Sequence, residues 1–219
     1  MKNIRLLNCF LTTILLWGST FAAFAQNDPK AISILDKVKE KYQAMKAFTA
    51  DFTFNLTNKT GGVNETYNGK IYVKGDRYHL ILPEQEVITD GKTQWTYLKD
   101  SKEVNITEYE PEANEITPNR IYTVYESDYL AAFIEDEVEN GKAYEIIELK
   151  PKNLNSPFFK IRLKIVKDTK SIKSWEIFEK NNSRYLYTVK HFATVKVGDT
   201  YFRFDPTKYP KDIEVVDLR

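Results

Sequence analysis

Residues 69–97 read GKIYVKGDRYHLILPEQEVITDGKTQWTY, and the period of this stretch decides the fold. Gly69, Ile71 and Val73 alternate with polar neighbours, Gly75-Asp76 supplies a turn, and Tyr78, Leu80 and Leu82 resume the alternation. A second turn at Asp90-Gly91 leads to Trp95 and Tyr97. A period of two broken by Gly/Asp turns marks antiparallel strands joined by hairpins, with one face apolar. Parity assigns Ile71, Val73, Tyr78, Leu80, Trp95 and Tyr97 to that face, and Lys74, Arg77 and His79 to the polar one.

Working outward, the same period runs upstream through Phe48, Phe52, Phe54 and Leu56, with Gly61-Gly62 as a turn. Before it, Asp28-Pro29 offers an N-cap followed by proline at the first helical position. Ala31, Leu35, Val38, Tyr42 and Met45 then recur at spacings of three and four, which predicts one amphipathic helix. Downstream, proline and polar residues across 111–118 break the meander. Thr117-Pro118 then opens a second helical segment, a lid over 119–133, in which Tyr122, Tyr125, Tyr129 and Phe133 recur at helical spacing and Ser127 can cap a second piece. The acidic group Glu135, Asp136, Glu137 and Glu139 follows as a solvated loop. Strands resume at 144–150, 158–166, 172–179, 184–192 and 201–204, with 213–218 as a last strand or extended edge.

The fold class expected is mainly antiparallel β with α. A sheet of about ten or eleven strands tends to curl or close on itself. The economical solution is a half-open, strongly curved β-barrel whose concave face is covered by the N-terminal helix and the mid-chain helical lid.

Residues 1–25 have the three parts of a secretory signal: Lys2 and Arg5, an apolar run from Leu6, and small residues at Ala23 and Ala25. Cleavage after Ala25 would leave 194 residues, 26–219, as a single domain without linker, repeat or low-complexity tract. Asn8, Thr12, Thr13, Gly18, Ser19 and Thr20 dilute the apolar run, which argues against a membrane anchor. A soluble, exported protein is expected. The one cysteine, Cys9, lies inside the signal, so the mature chain has no thiol chemistry and no disulfide, and Gln26 stands where a lipid-anchored protein would need a cysteine. Loss of Lys2 and Arg5 leaves 30 basic against 31 acidic residues, interspersed and without a basic stripe, so nucleic acid is not an expected partner.

No catalytic residue, metal site or cofactor is expected. His79 and His191 are the two histidines; both fall in predicted strands, and His79 lies on the polar face as a solvated residue. Neither forms a metal-ligand spacing, and no nucleophile elbow, phosphate loop or dinucleotide fingerprint occurs. An exported hydrolase would therefore be hard to assemble.

The aromatic residues are 14 Tyr, 13 Phe and 3 Trp, concentrated at alternating strand positions and on the mid-chain segment. Two short helices are little cover for so large an apolar face, so the imbalance implies a hydrophobic cavity. Its candidate lining, chosen by parity, is Phe52, Phe54, Ile71, Val73, Tyr78, Leu80, Trp95, Tyr97, Ile161 and Leu163. Acyl chains suit it: at ~0.8 kcal/mol per CH₂, a chain of about 14 carbons resists entering water by roughly 11 kcal/mol.

The ordered set in 69–97 resembles the signature region of the LolA-like outer-membrane lipoprotein carriers. The matching residues are Gly69, Ile71, Val73 and Lys74, then Tyr78, Leu80 and Leu82, then Thr89, Asp90, Gly91, Lys92, Thr93, Trp95 and Tyr97. The Ala47 to Phe52 segment, and Phe202 and Phe204 before a proline, extend the resemblance over most of the mature chain. It implies a monomeric, non-enzymatic periplasmic chaperone that takes acylated lipoproteins from an inner-membrane ABC-type extractor to an outer-membrane acceptor. The alternative is a lipid-binding or sensor module of the same fold without transport. Family members follow Val-Lys with Arg-Pro, whose arginine is thought to latch the lid; here Gly75-Asp76 follows, with Arg77 two places later on the polar side.

Overall fold

The computed structural model describes residues 26–110, 119–126 and 129–219. The expected signal, the 111–118 break with Thr117-Pro118, and Ser127 lie outside the described residues.

Helix α1 spans Pro29–Gln43. Its buried face, Ala31, Ile34, Leu35, Val38 and Tyr42, is the predicted stripe with Ile34 added, while Met45 lies beyond its end. The strands are β1 (Phe48–Asn58), β2 (Val63–Lys74), β3 (Arg77–Ile81), β4 (Gln85–Thr89), β5 (Thr93–Leu98), β6 (Glu103–Glu108), β7 (Tyr129–Glu139), β8 (Lys142–Pro151), β9 (Phe158–Val166), β10 (Ile172–Glu179), β11 (Ser183–Thr194) and β12 (Glu214–Asp217). They form one open, curved, mainly antiparallel sheet in the order β12-β6-β5-β4-β3-β2-β1-β11-β10-β9-β8-β7. β1 joins the N-terminal meander to the C-terminal one by pairing with both β2 and β11.

Three expectations are corrected. The lid helix over 119–133 is absent among the described residues: a turn at Asn119 leads to a 3₁₀ turn, Val124–Glu126, and Tyr129 and Phe133 lie on β7. A spacing of four satisfies a period of two as well as 3.6, so Tyr125, Tyr129 and Phe133 read as helical by coincidence. The acidic group is the outer half of β7, not a loop. Its carboxylates meet lysines from beyond the adjacent β8: Lys164 Nζ on β9 reaches Glu137 and Glu139 at 2.7 Å each, and Lys167 Nζ, just after β9, reaches Asp136 at 2.9 Å. The sheet has twelve strands among the described residues, against the expected ten or eleven. The strand expected at 201–204 is a 3₁₀ turn, Asp199–Phe202, whose Phe202 is fully buried against the convex side of the sheet.

Helix α1 is fastened at both ends. Asp28 caps it by accepting from the Lys30 N–H (2.8 Å), and its second oxygen accepts from the Phe133 N–H at 3.0 Å. The Asp28 N–H donates to the Ala131 carbonyl at 2.9 Å, and Asn27 accepts from the Ala131 N–H at the same distance. These bonds occupy outward-facing groups of β7, an edge strand otherwise open to pairing. At the other end Tyr42 Oη accepts from the Ile172 N–H at 3.2 Å. The helix thus crosses the concave face from β7 to β10. Beneath it Ile147, Leu149, Ile161, Leu163 and Ile165 are each at most 1% exposed. Asp28→Ala removes both cap and edge contact, and is expected to cost about 1–2 kcal/mol. A lower urea midpoint at unchanged slope is the check.

On the convex side the C-terminal segment straps β2 to β6. Tyr201 packs edge-on to Tyr72 at 4.8 Å, Tyr209 packs on Tyr97 at the same distance, and β12 pairs in parallel with β6. Asp199 anchors the strap through Lys74 (2.6 Å) and Arg77 (2.7 Å), whose hydrogen bonds hold its carboxyl down to about 2.

Candidate functional site

Helix α1 has 15 residues, about 22 Å at ~1.5 Å per residue, and reaches no further than β10. The concave face of β11, β1, β2 and β3 lies beyond it. There a cavity of about 770 Å³ opens, towards the upper end of the ~300–1,000 Å³ usual for ligand sites.

Register explains its walls. Antiparallel partners share a face, and the pairs Phe52↔Gly69, Phe54↔Tyr67, Ile71↔Leu80, Phe54↔Tyr187 and Trp175↔Tyr187 carry one apolar surface across five strands. Trp175 stacks on Tyr187 at 4.8 Å and 10°, and Tyr187 tilts against Phe54 at 4.9 Å. The floor is aromatic: Tyr42 stacks on Tyr122 at 5.2 Å and meets Phe48 and Phe192 edge-on at 5.4 and 5.5 Å. The mouth is polar, lined by Glu84 and Gln85 after β3 and by Asp100 and Ser101 after β5. Phe54, Leu80, Trp175, Ile177, Tyr187, Val189 and Phe192 line the cavity half-buried, so each keeps apolar surface that a ligand could remove from water.

Gly69 is explained here. A Cβ at this position would lie 2.4 Å from Phe52 Cζ and 2.8 Å from Leu82 Cδ2, so the glycine lets the Phe52 ring lie across β2 as part of the wall. Gly69→Val would push that ring into the cavity. Overpacking of this kind costs about 1–3 kcal/mol, and the affinity for a fluorescent acyl probe should fall with it. Urea unfolding and probe titration on the same protein measure both effects.

Of the residues chosen from sequence, Phe52, Phe54, Ile71 and Leu80 line the cavity, and Tyr122 forms part of its floor. Val73, Tyr78, Ile161 and Leu163 share the concave face but lie in the closed core, the last two beneath α1. Trp95 and Tyr97 are a correction: they face the convex side. Thr89 pairs with Gln94 across the hairpin, which puts Gln94, Thr96 and Leu98 on the concave face instead. Tyr125 is buried outside the cavity lining, its hydroxyl donating to Asp36 Oδ1 at 2.6 Å. Phe133 carries the Lys30 ammonium 3.3 Å from its ring centre, and Tyr129 is buried in the same core.

Arg77 pairs with Asp199 on the convex side, on the opposite face of the sheet from the cavity. His79 is a second correction, since it is buried rather than solvated. Its Nε2 is 3.3 Å from Glu86 Oε2 and its ring 5.1 Å from that of Tyr201, under the C-terminal strap. The hydrogen bond from His79 is the largest influence lowering the Glu86 pKa.

Sequence reasoning misses Trp175, Ile177, Tyr187, Val189 and Phe192. Their alternation is visible, but their place beside Phe54 depends on β1 joining β11 across more than 120 residues.

A family model described as outer membrane lipoprotein carrier protein LolA matches residues 43–205, most of the chain. The outer-membrane lipoprotein carrier protein of Actinobacillus succinogenes is 23% identical over 193 residues, 84% of this chain and 85% of that protein. That of Edwardsiella ictaluri is 25% identical over 179 residues, 80% of this chain and 83% of its own. Among solved structures, an uncharacterized conserved protein of Thermus thermophilus superposes with a TM-score of 0.58 at 14% identity, covering 86% of this chain and 99% of that one. That likeness is one of fold. With a cavity of this shape and a family match of this extent, the chain belongs to the LolA family of outer membrane lipoprotein carrier proteins.

Proposed function

We propose that the protein is a periplasmic carrier that holds the acyl chains of lipoproteins in its cavity and shuttles them from the inner to the outer membrane. The observation that carries this reading is the half-covered concave face: one half sealed by α1, the other a 770 Å³ apolar cavity with a polar mouth. An acyl chain in water is costly by roughly 0.8 kcal/mol per CH₂, so such cargo crosses an aqueous compartment only under cover. A carrier must also release it. Walls of half-buried aromatic and aliphatic groups bind by area rather than by fixed polar contacts, which favours holding a chain without locking one pose.

In this reading residues 1–25 are a cleaved export signal and 26–219 the working domain, a monomer that needs neither cofactor nor metal and catalyses nothing. Among the described residues no helix is long and apolar enough to cross a membrane. Cargo arrives from an ATP-driven inner-membrane extractor and leaves to an outer-membrane acceptor. Depletion in the source cell is the test: lipoproteins should accumulate in the inner membrane within a few generations. Normal sorting after depletion would instead favour a lipid sensor of the same fold.

A further inference from the structure

Four tyrosines line the cavity, and they differ in what their hydroxyls do. Tyr42 accepts from the Ile172 N–H, and Tyr67 donates to Glu65 at 2.9 Å near the mouth. Tyr122 lies at the floor, stacked on Tyr42. Tyr187 stands at the outer end of the cavity wall, level with Tyr67 because both pair with Phe54, and its hydroxyl has no hydrogen-bond partner among the described residues. Burial pushes its pKa up to about 12, so it stays protonated and remains a donor at any physiological pH. Its cross-strand partner Trp175, stacked on it at 10°, likewise has no hydrogen-bond partner among the described residues for its indole N–H.

Both residues are half-buried, so a ligand that covers their donors takes water from them, which favours a ligand that brings an acceptor. Their height is informative. Among the residues of β11 that line the cavity, Tyr187 is the one nearest the mouth. Val189 and Phe192 continue the apolar wall from there to the floor, while Glu84, Gln85, Asp100 and Ser101 make the mouth polar. From the floor outward the wall is therefore apolar up to Tyr187 and Trp175, which lie just below the polar rim, in the order of an acylated amphiphile: hydrocarbon tail, carbonyl, polar body.

We propose that Tyr187, with Trp175 beside it, is the polar anchor of the cavity and donates a hydrogen bond to the carbonyl oxygen of a fatty acyl ester or amide. The inference rests on the carrier reading and deepens it, because it selects acyl groups over plain hydrocarbon. The ligand remains free to leave, since one hydrogen bond adds specificity at little cost to release.

The test uses two fluorescent glycerol probes of equal chain length, one a hexadecanoyl ester and one a hexadecyl ether, titrated into the wild-type protein, Tyr187→Phe and Trp175→Phe. The wild type should prefer the ester by roughly two- to tenfold, the worth of one net hydrogen bond. Tyr187→Phe keeps the ring and its stacking. It should abolish the preference by weakening the ester alone, leaving the ether unchanged, and Trp175→Phe should reduce the preference. Equal weakening of both probes by Tyr187→Phe would overturn the anchor in favour of a packing role. Absence of a preference in the wild type, with both probes bound, would overturn it while sparing the carrier reading. Failure of both probes to bind would sink the two together. Competition then names the source of the carbonyl: displacement by an N-palmitoylated peptide assigns a lipoprotein amide, and displacement by monopalmitoylglycerol alone assigns a glycerolipid ester. Either result retains the donor.

Discussion

Leu80→Asp is expected to weaken binding of a long acyl chain by at least about a hundredfold while leaving the fold intact. Leu80 stands on β3 in the cavity wall, half-buried and paired with Ile71. In the empty protein an aspartate there keeps its water, because the cavity is open at the mouth. A bound chain would strip that water away, and burying an unpaired carboxylate costs several kcal/mol after relaxation. At about 1.4 kcal/mol per tenfold, two or more orders of magnitude follow. Probe titration alongside a thermal melt measures both halves of the prediction. Unchanged affinity would mean that the chain does not touch β3.

Leu163→Ala is expected to act in the opposite way, costing about 2–5 kcal/mol of stability with little direct effect on the ligand. Leu163 belongs to the same concave face but lies beneath α1, 1% exposed, between Ile147 of β8 and Trp175 of β10. Truncation leaves a void that close-packed neighbours cannot collapse into. Leu80→Ala, at a half-open position, should cost only about 1 kcal/mol. The contrast between two leucines on one face, read from urea unfolding, measures the division of that face into a closed half and an open half.

That division is not legible from sequence, although much around it is. The stripe Ala31, Leu35, Val38 and Tyr42 announces α1, and the alternation of Phe48, Phe52 and Phe54 announces β1, because each pattern fits one period. Tyr125, Tyr129 and Phe133 fit two periods, and extended pairing with β8 prevails over the helical reading. Parity alone puts Trp95 and Tyr97 on the wrong face. It is secure within a strand, but the Thr89↔Gln94 register across the hairpin sets which parity faces inward. Their aromatic character reflects a second apolar layer, the C-terminal strap with Tyr209 on Tyr97, whose docking is a long-range event. The burial of His79 escapes the sequence for the same reason. Where α1 lies depends on Asp28 meeting Ala131 and Tyr42 meeting Ile172, contacts more than 100 residues apart. Those contacts decide that Ile161 and Leu163 are core while Phe54 and Leu80 are cavity.

The most direct test of acyl binding in the open half is photo-crosslinking with a diazirine-bearing palmitoyl probe, followed by peptide mapping. Saturable labelling should fall on Phe54, Leu80, Trp175 and Val189, compete with unlabelled palmitoylated peptide, and spare Ile147 and Ile161 beneath the helix. Labelling that does not saturate, or that concentrates on the outer face of α1 or beneath it, would contradict the account.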